Sequence, residues 1–129
     1  MPRKPPKRAS AKAFVAAIHE ARRITLRAGS KPHRCIPLWA VVADGRVFAR
    51  SWSIKPRSWY RTLLEEPHGV LQVGERKVPF RAVQTRSARL KAAVDRAYRK
   101  KYDRPGDLYF TRDMTGAKSR ATTTELVLD

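Results

Sequence analysis

A chain of 129 residues with a hydrophobic fraction of 42% can bury the core of one domain without metals or disulfides, and a second domain is not expected. Its 29 Lys and Arg against 11 Asp and Glu give a formal net charge of +18, which favours polyanionic partners through an attraction that salt screens. No apolar run approaches the roughly 20 residues of a membrane span, the basic first twelve residues lead into no hydrophobic stretch, and Cys35 is the lone cysteine. The expectations are no membrane partner, a cytoplasmic location and a reduced thiol.

Residues 1–10 combine Pro2, Pro5 and Pro6 with Arg3, Lys4, Lys7 and Arg8, a composition that reads as a disordered basic arm ahead of a single domain at 11–129. Ser10 can cap a helix in which Phe14, Ala17, Ile18 and Ala21 recur at i, i+3, i+4 and i+7. A short strand at 23–26 and a loop through Gly29, Ser30, Lys31 and Pro32 come next. Residues 35–43 are apolar almost throughout, and Asp44 with Gly45 predicts a type I′ turn into a return strand at 46–52. In that register, positions whose numbers sum to about 89 face each other, which extrapolates to Arg34 opposite Lys55.

Ser58 can cap a short helix at 59–66 that Pro67 ends. A second hairpin joins 69–73 to 76–84 through Gly74 and Glu75, with Pro79 arguing for an edge or a bulge. Ser87 opens the longest helix, with Leu90, Ala93, Val94, Ala97, Tyr98 and Tyr102 inward and Lys91, Arg96, Arg99 and Lys100 outward. Asp95 stands four residues before Arg99, the spacing of a surface ion pair. Pro105 and Gly106 stop the helix, and strands are expected at 108–111 and 121–128. Five or more strands in hairpins with three helices indicate an α+β domain around a closed or half-closed antiparallel sheet.

Zinc spacings, phosphate-binding glycine loops, dinucleotide fingerprints and serine elbows are all missing, and His19, His33 and His68 are scattered. No side chain stands out as a catalytic acid or base, so catalytic residues stay unassigned. The basic loop containing Ser30 and Arg34, the strand end at Arg50 and Ser51, and Lys55, Arg57 and Arg61 beyond it can form a phosphate cradle. The alternative is a generally basic surface in which some arginines cluster by chance. Trp52 and Trp59 flank this segment, where an aromatic ring can stack on a flavin-like ring or a base; core packing is the commoner use of a helical tryptophan such as Trp59.

The stretches IPLWAVV at 36–42, VFARSW at 47–52, WYR at 59–61, VDRAYRKKY at 94–102 and ATTTELVL at 121–128 resemble domain-of-unknown-function family 2255 over about residues 14–128. The D-x-A-Y-x-x-K-Y pattern from Asp95 to Tyr102 is the most specific part. More distantly, Arg34-x-x-Pro37-Leu38-Trp39 and Trp59-x-x-Thr62-Leu63-x-x-x-Pro67 are similar to the deazaflavin-dependent nitroreductases. That resemblance implies an antiparallel split β-barrel, flavin-reductase-like, with peripheral helices. It also implies a cofactor phosphate held at Ser30, Arg34, Arg50 and Ser51. Lys31 and Thr62 depart from the glycine and asparagine of those relatives. Three readings stand open. The first binds a phosphate-bearing cofactor, flavin mononucleotide (FMN) or a deazaflavin, for redox chemistry through Ser30, Arg34, Arg50, Ser51, Trp52, Lys55 and Trp59. The second is a basic nucleic-acid-binding module, and the third a cofactor-free ligand or partner binder; the oligomeric state is open.

Overall fold

The computed structural model describes residues 7–21, 24–29, 35–52 and 58–128, the first five of these as backbone. Residues 1–6 of the arm expected at 1–10 lie outside the described residues, as do Ser30, Arg34 and Lys55, whereas residues 7–10 belong to a helix. Helix α1, Lys7–Glu20, begins three residues before Ser10, so Ser10 lies inside the helix rather than at its cap.

The Asp44–Gly45 turn has positive φ at both residues, 59° and 71°, as a type I′ turn requires. It joins β3, Ala40–Ala43, to β4, Arg46–Ala49, with Ala40 opposite Ala49 in the expected register. The apolar run before it is not one ladder, however. It breaks at Trp39, and its first part, β2, Ile36–Leu38, pairs with β1, Ile24–Ala28, instead of β4. The extrapolation of Arg34 to Lys55 therefore has no ladder beneath it, because the β3–β4 pairing ends at Ala40.

This break closes the fold. With β5, His68–Val73, β6, Arg76–Gln84, and β7, Thr124–Leu128, the strand order is β2-β1-β5-β6-β7-β4-β3, antiparallel throughout. The edge strands β2 and β3 are successive in the chain, so one bent segment links both edges of a seven-stranded sheet into a nearly closed barrel. Near-closure leaves little exposed edge to pair with other chains. Pro79 sits one residue before Phe80, where β6 begins to pair with β7, so its missing N–H falls beside the end of the neighbouring strand. Gly69 is required by close approach: a Cβ there would stand 2.3 Å from the Arg27 carbonyl oxygen and 2.9 Å from the Phe80 ring.

Helix α2, Trp59–Glu65, starts at Ser58, whose hydroxyl accepts from the Arg61 N–H, and α3, Ala88–Lys101, starts at Ser87, which accepts from the Leu90 N–H. The strand expected at 108–111 is instead part of a helix, α4, Leu108–Met114, following a 3₁₀ turn at Pro105–Asp107. Asp107 accepts from the Arg104 N–H and Thr111 donates to the Tyr102 carbonyl, so the segment folds back on the end of α3 and has no strand to join. A further helix, α5, Ala117–Arg120, precedes β7, whose first residue is Thr124 rather than Ala121. Two cores result. Leu26, Leu38, Val47, Leu71, Phe80 and Leu126 fill the barrel with Phe14 and Ile18 of α1 and Trp59 and Leu63 of α2. Leu90, Val94, Tyr98 and Tyr102 pack α3 on Val41 and Phe48, which point out of the barrel. Burial on both faces of the β3–β4 hairpin explains why the run is so uniformly apolar.

Candidate functional site

Arg50 is the most enclosed cation among the described residues, with a side chain 0% exposed. Its Nη1 donates to Asp95 Oδ1 at 2.5 Å and to the Met114 carbonyl at 2.9 Å. Its Nε donates to Thr123 Oγ1 and its Nη2 to the Lys91 carbonyl, both at 2.9 Å. A buried guanidinium persists only when paired and hydrogen-bonded, and this one is satisfied by α3, α4 and the entry to β7. The geometry expected for a fork onto a ligand phosphate is taken up by the scaffold, because four of the five N–H donors are engaged inside the fold. The Ser51 N–H donates to Thr122 Oγ1 at 2.8 Å, and Ser51 is buried.

Asp95 does not pair with Arg99. It turns inward between two arginines, with Arg120 Nε 3.2 Å from its second oxygen. Tyr98 donates to the Trp39 carbonyl at 2.6 Å and accepts from the Arg50 N–H at 3.1 Å, and burial pushes its hydroxyl well above the ordinary tyrosine range. Lys101 donates to the carbonyls of Ile18 and Ala40 at 2.8 and 2.7 Å, and Tyr102 stacks on Trp39 with ring centroids 4.2 Å apart. The four named positions of D-x-A-Y-x-x-K-Y that carry polar groups thus hold Arg50 and the carbonyls at the Trp39 bend. They clasp the seam of the barrel.

With Asp95 turned inward, α3 presents only cations to water: Arg89, Arg96, Arg99 and Lys100 are exposed and span one face of the helix. The span from 89 to 100 is about 16 Å at the rise of an α-helix. Beside this face lies a cleft of about 430 Å³ between α1, β3 and α3, lined by His19, Glu20, Ala97, Lys100, Lys101 and Arg104. Among the described residues no group of three or more His, Cys, Asp or Glu is placed to hold a metal ion, and no helix is long and apolar enough to cross a membrane.

A family model described as an uncharacterized protein conserved in bacteria, DUF2255, matches residues 13–126. The chain belongs to this family. No curated protein matches it. Its fold is similar to the crystal structure of conserved hypothetical protein Rv2991 from Mycobacterium tuberculosis, with a TM-score of 0.57 and 15% identity over 88% of this chain and 76% of that one.

Of the cofactor positions inferred for this DUF2255 protein, Arg50, Ser51, Trp52 and Trp59 are among the described residues. Trp59 is 7% exposed in the barrel core, in edge contact with Tyr60. Trp52 is 58% exposed, its indole N–H donating to Asp113 Oδ2 at 3.3 Å. Strand directions bring the end of β1, the start of β2 and the end of β4 to one end of the barrel. Sequence reasoning missed the inward turn of Asp95. The available signal was its solitude: α3 holds six basic residues and one acid, and a lone acid among so many cations is suited to neutralising a buried one.

Proposed function

We propose that this DUF2255 protein binds nucleic acid through phosphate contacts on the outer face of α3. The supporting observation is that the helix directs its only acid, Asp95, at Arg50 and Arg120, leaving Arg96, Arg99 and Lys100 exposed with no acid on the same helix surface and Arg89 in a single exposed pair with Asp44 of the neighbouring turn. Four cations on such a face neutralise phosphates and release condensed counterions, which gives binding a steep salt dependence. Fluorescence anisotropy with a labelled duplex at several salt concentrations tests it. The expected slope of log K against log salt is about −3 to −4 for four contacts, and Arg96→Gln reduces it by about 0.9. Absence of binding at low salt, or a slope indifferent to Arg96→Gln, sinks the reading.

A second reading is a phosphate-bearing flavin or deazaflavin at the barrel end formed by the end of β1, the start of β2 and the end of β4, with Ser30, Arg34 and Lys55, outside the described residues, as its expected phosphate ligands and the exposed Trp52 for its ring. It is favoured by the convergence of those strand ends and weakened by the engagement of Arg50 within the fold. The absorption spectrum of freshly purified protein, followed by titration with FMN, decides it: no visible chromophore and no binding removes it.

A further inference from the structure

We infer that the surface formed by α4 and Trp52 is a stacking ledge for the bases of a single-stranded nucleic acid. The inference presupposes that the α3 face binds a nucleic-acid backbone, and it names which form is preferred. Helix α4 leaves three successive large apolar side chains in water, Leu108 at 58%, Tyr109 at 61% and Phe110 at 43% exposure, and Trp52 adds a fourth at 58%. Burying such groups would be favourable, so leaving four of them on one short helix and its neighbour marks a binding surface.

The rings are held in place rather than splayed. The Trp52 indole N–H donates to Asp113, one helical turn beyond Tyr109 and on the same side of α4. Phe110 leans on Trp39 with centroids 5.2 Å apart, and Trp39 lies flat on the buried Tyr102. Tyr109 meets Phe110 edge-on at 6.0 Å, and the Arg112 guanidinium lies 5.6 Å from the Tyr109 ring centroid. Each exposed ring therefore has an anchored side and a side open to solvent, the arrangement on which an unpaired base can stack whatever its sequence. In a duplex the bases already stack on one another and offer no free face.

The occupant is chosen by charge. The chain carries +18, Arg112 is exposed beside Tyr109, and α4 folds back on α3 through the Thr111 hydroxyl and the Tyr102 carbonyl, which places the ledge next to the helix with the cationic face. A strand whose phosphates follow α3 can lay its bases on α4. An aromatic surface with the exposed Arg112 beside it, whose one acid, Asp113, accepts from the Trp52 indole, suits a base-bearing polyanion better than an apolar protein partner.

The test compares a labelled twelve-nucleotide thymidine strand with a duplex of equal length, using wild type, Trp52→Ala, Tyr109→Ala and Arg96→Gln, each first shown to melt as wild type does. Wild type is expected to bind the single strand more tightly than the duplex. Trp52→Ala and Tyr109→Ala each weaken the single strand about tenfold and leave the duplex affinity and the salt slope unchanged. Arg96→Gln lowers the slope for both. If Arg96→Gln acts and neither aromatic variant does, the ledge is overturned and the α3 reading survives; if no oligonucleotide binds, both fall. Concentration-dependent dimerisation that Tyr109→Ala abolishes, with single-strand affinity intact, assigns the ledge to a second copy of the chain and overturns the inference.

Discussion

The inner and outer faces of α3 hold the same kinds of charge under opposite conditions. Inside, Asp95 and the wholly buried Arg50 meet at 2.5 Å, and the guanidinium also donates to Thr123 Oγ1 and to the carbonyls of Met114 and Lys91. Outside, Arg89, Arg96 and Arg99 stand in water, and the ion pair of Arg89 with Asp44, at 3.4 Å, is exposed on both sides. Charge removed from water must be matched locally or it destabilises the fold, whereas charge left in water adds little stability and stays available to a partner. A count of arginines therefore overstates the binding surface and understates the scaffold.

The comparison breaks most severely at Asp95. Asp95→Ala strips the buried Arg50 of its counter-ion and is expected to cost about 3–5 kcal/mol, read as a lower urea midpoint with an unchanged slope. The double variant Asp95→Leu with Arg50→Met should cost less than the single one, because no buried charge is then left alone. A midpoint for Asp95→Ala matching wild type would mean that the inner face does not depend on this pair.

Tyr98 gives the next effect. Tyr98→Phe leaves the Trp39 carbonyl and the Arg50 N–H without their partner and should cost about 1–3 kcal/mol. Because burial raises the Tyr98 pKa, the fold holds the proton while the unfolded chain releases it near the ordinary value of about 10. Its contribution is whole below about pH 10 and declines as pH climbs above that. Unfolding free energies measured from pH 8 to 11 should therefore fall less steeply in Tyr98→Phe than in wild type, and parallel curves would contradict the assignment.

The smallest effect on stability belongs to the outer face. Arg96→Gln should change unfolding free energy by no more than about 0.5 kcal/mol in chemical denaturation. A larger loss would show that the outer charges also serve the fold, and would erase the contrast between the two faces.

Much of the fold is legible where the signal is local. The Asp44–Gly45 turn, the Ser58 and Ser87 caps and the Gly74–Glu75 hairpin each rest on a few neighbouring residues, and each is present. The apolar stripe of α3 is legible too, with Leu90, Val94 and Tyr98 buried. The segment 108–111 misleads because a short apolar run has no period of its own, and its contacts with the end of α3 make it a helix. At the candidate site, the outward places of Arg96, Arg99 and Lys100 were readable from spacing, whereas the half-burial of Lys91, the exposure of Arg89 in its stead and the engagement of Arg50 were not.

By itself the sequence determined the hairpin turns, the Ser58 and Ser87 helix caps, the antiparallel sheet and the excess of positive charge, since these depend on dihedral preferences, caps and periodicity within a few residues. The tertiary structure alone decided that the run at 36–43 bends at Trp39 to join both edges of the sheet, and that Asp95 serves Arg50 rather than Arg99. Arg50 reaches Lys91, 41 residues away, and Thr123, 73 residues away, so whether its charge faces water or protein is settled only when the barrel closes and α3 packs across the seam.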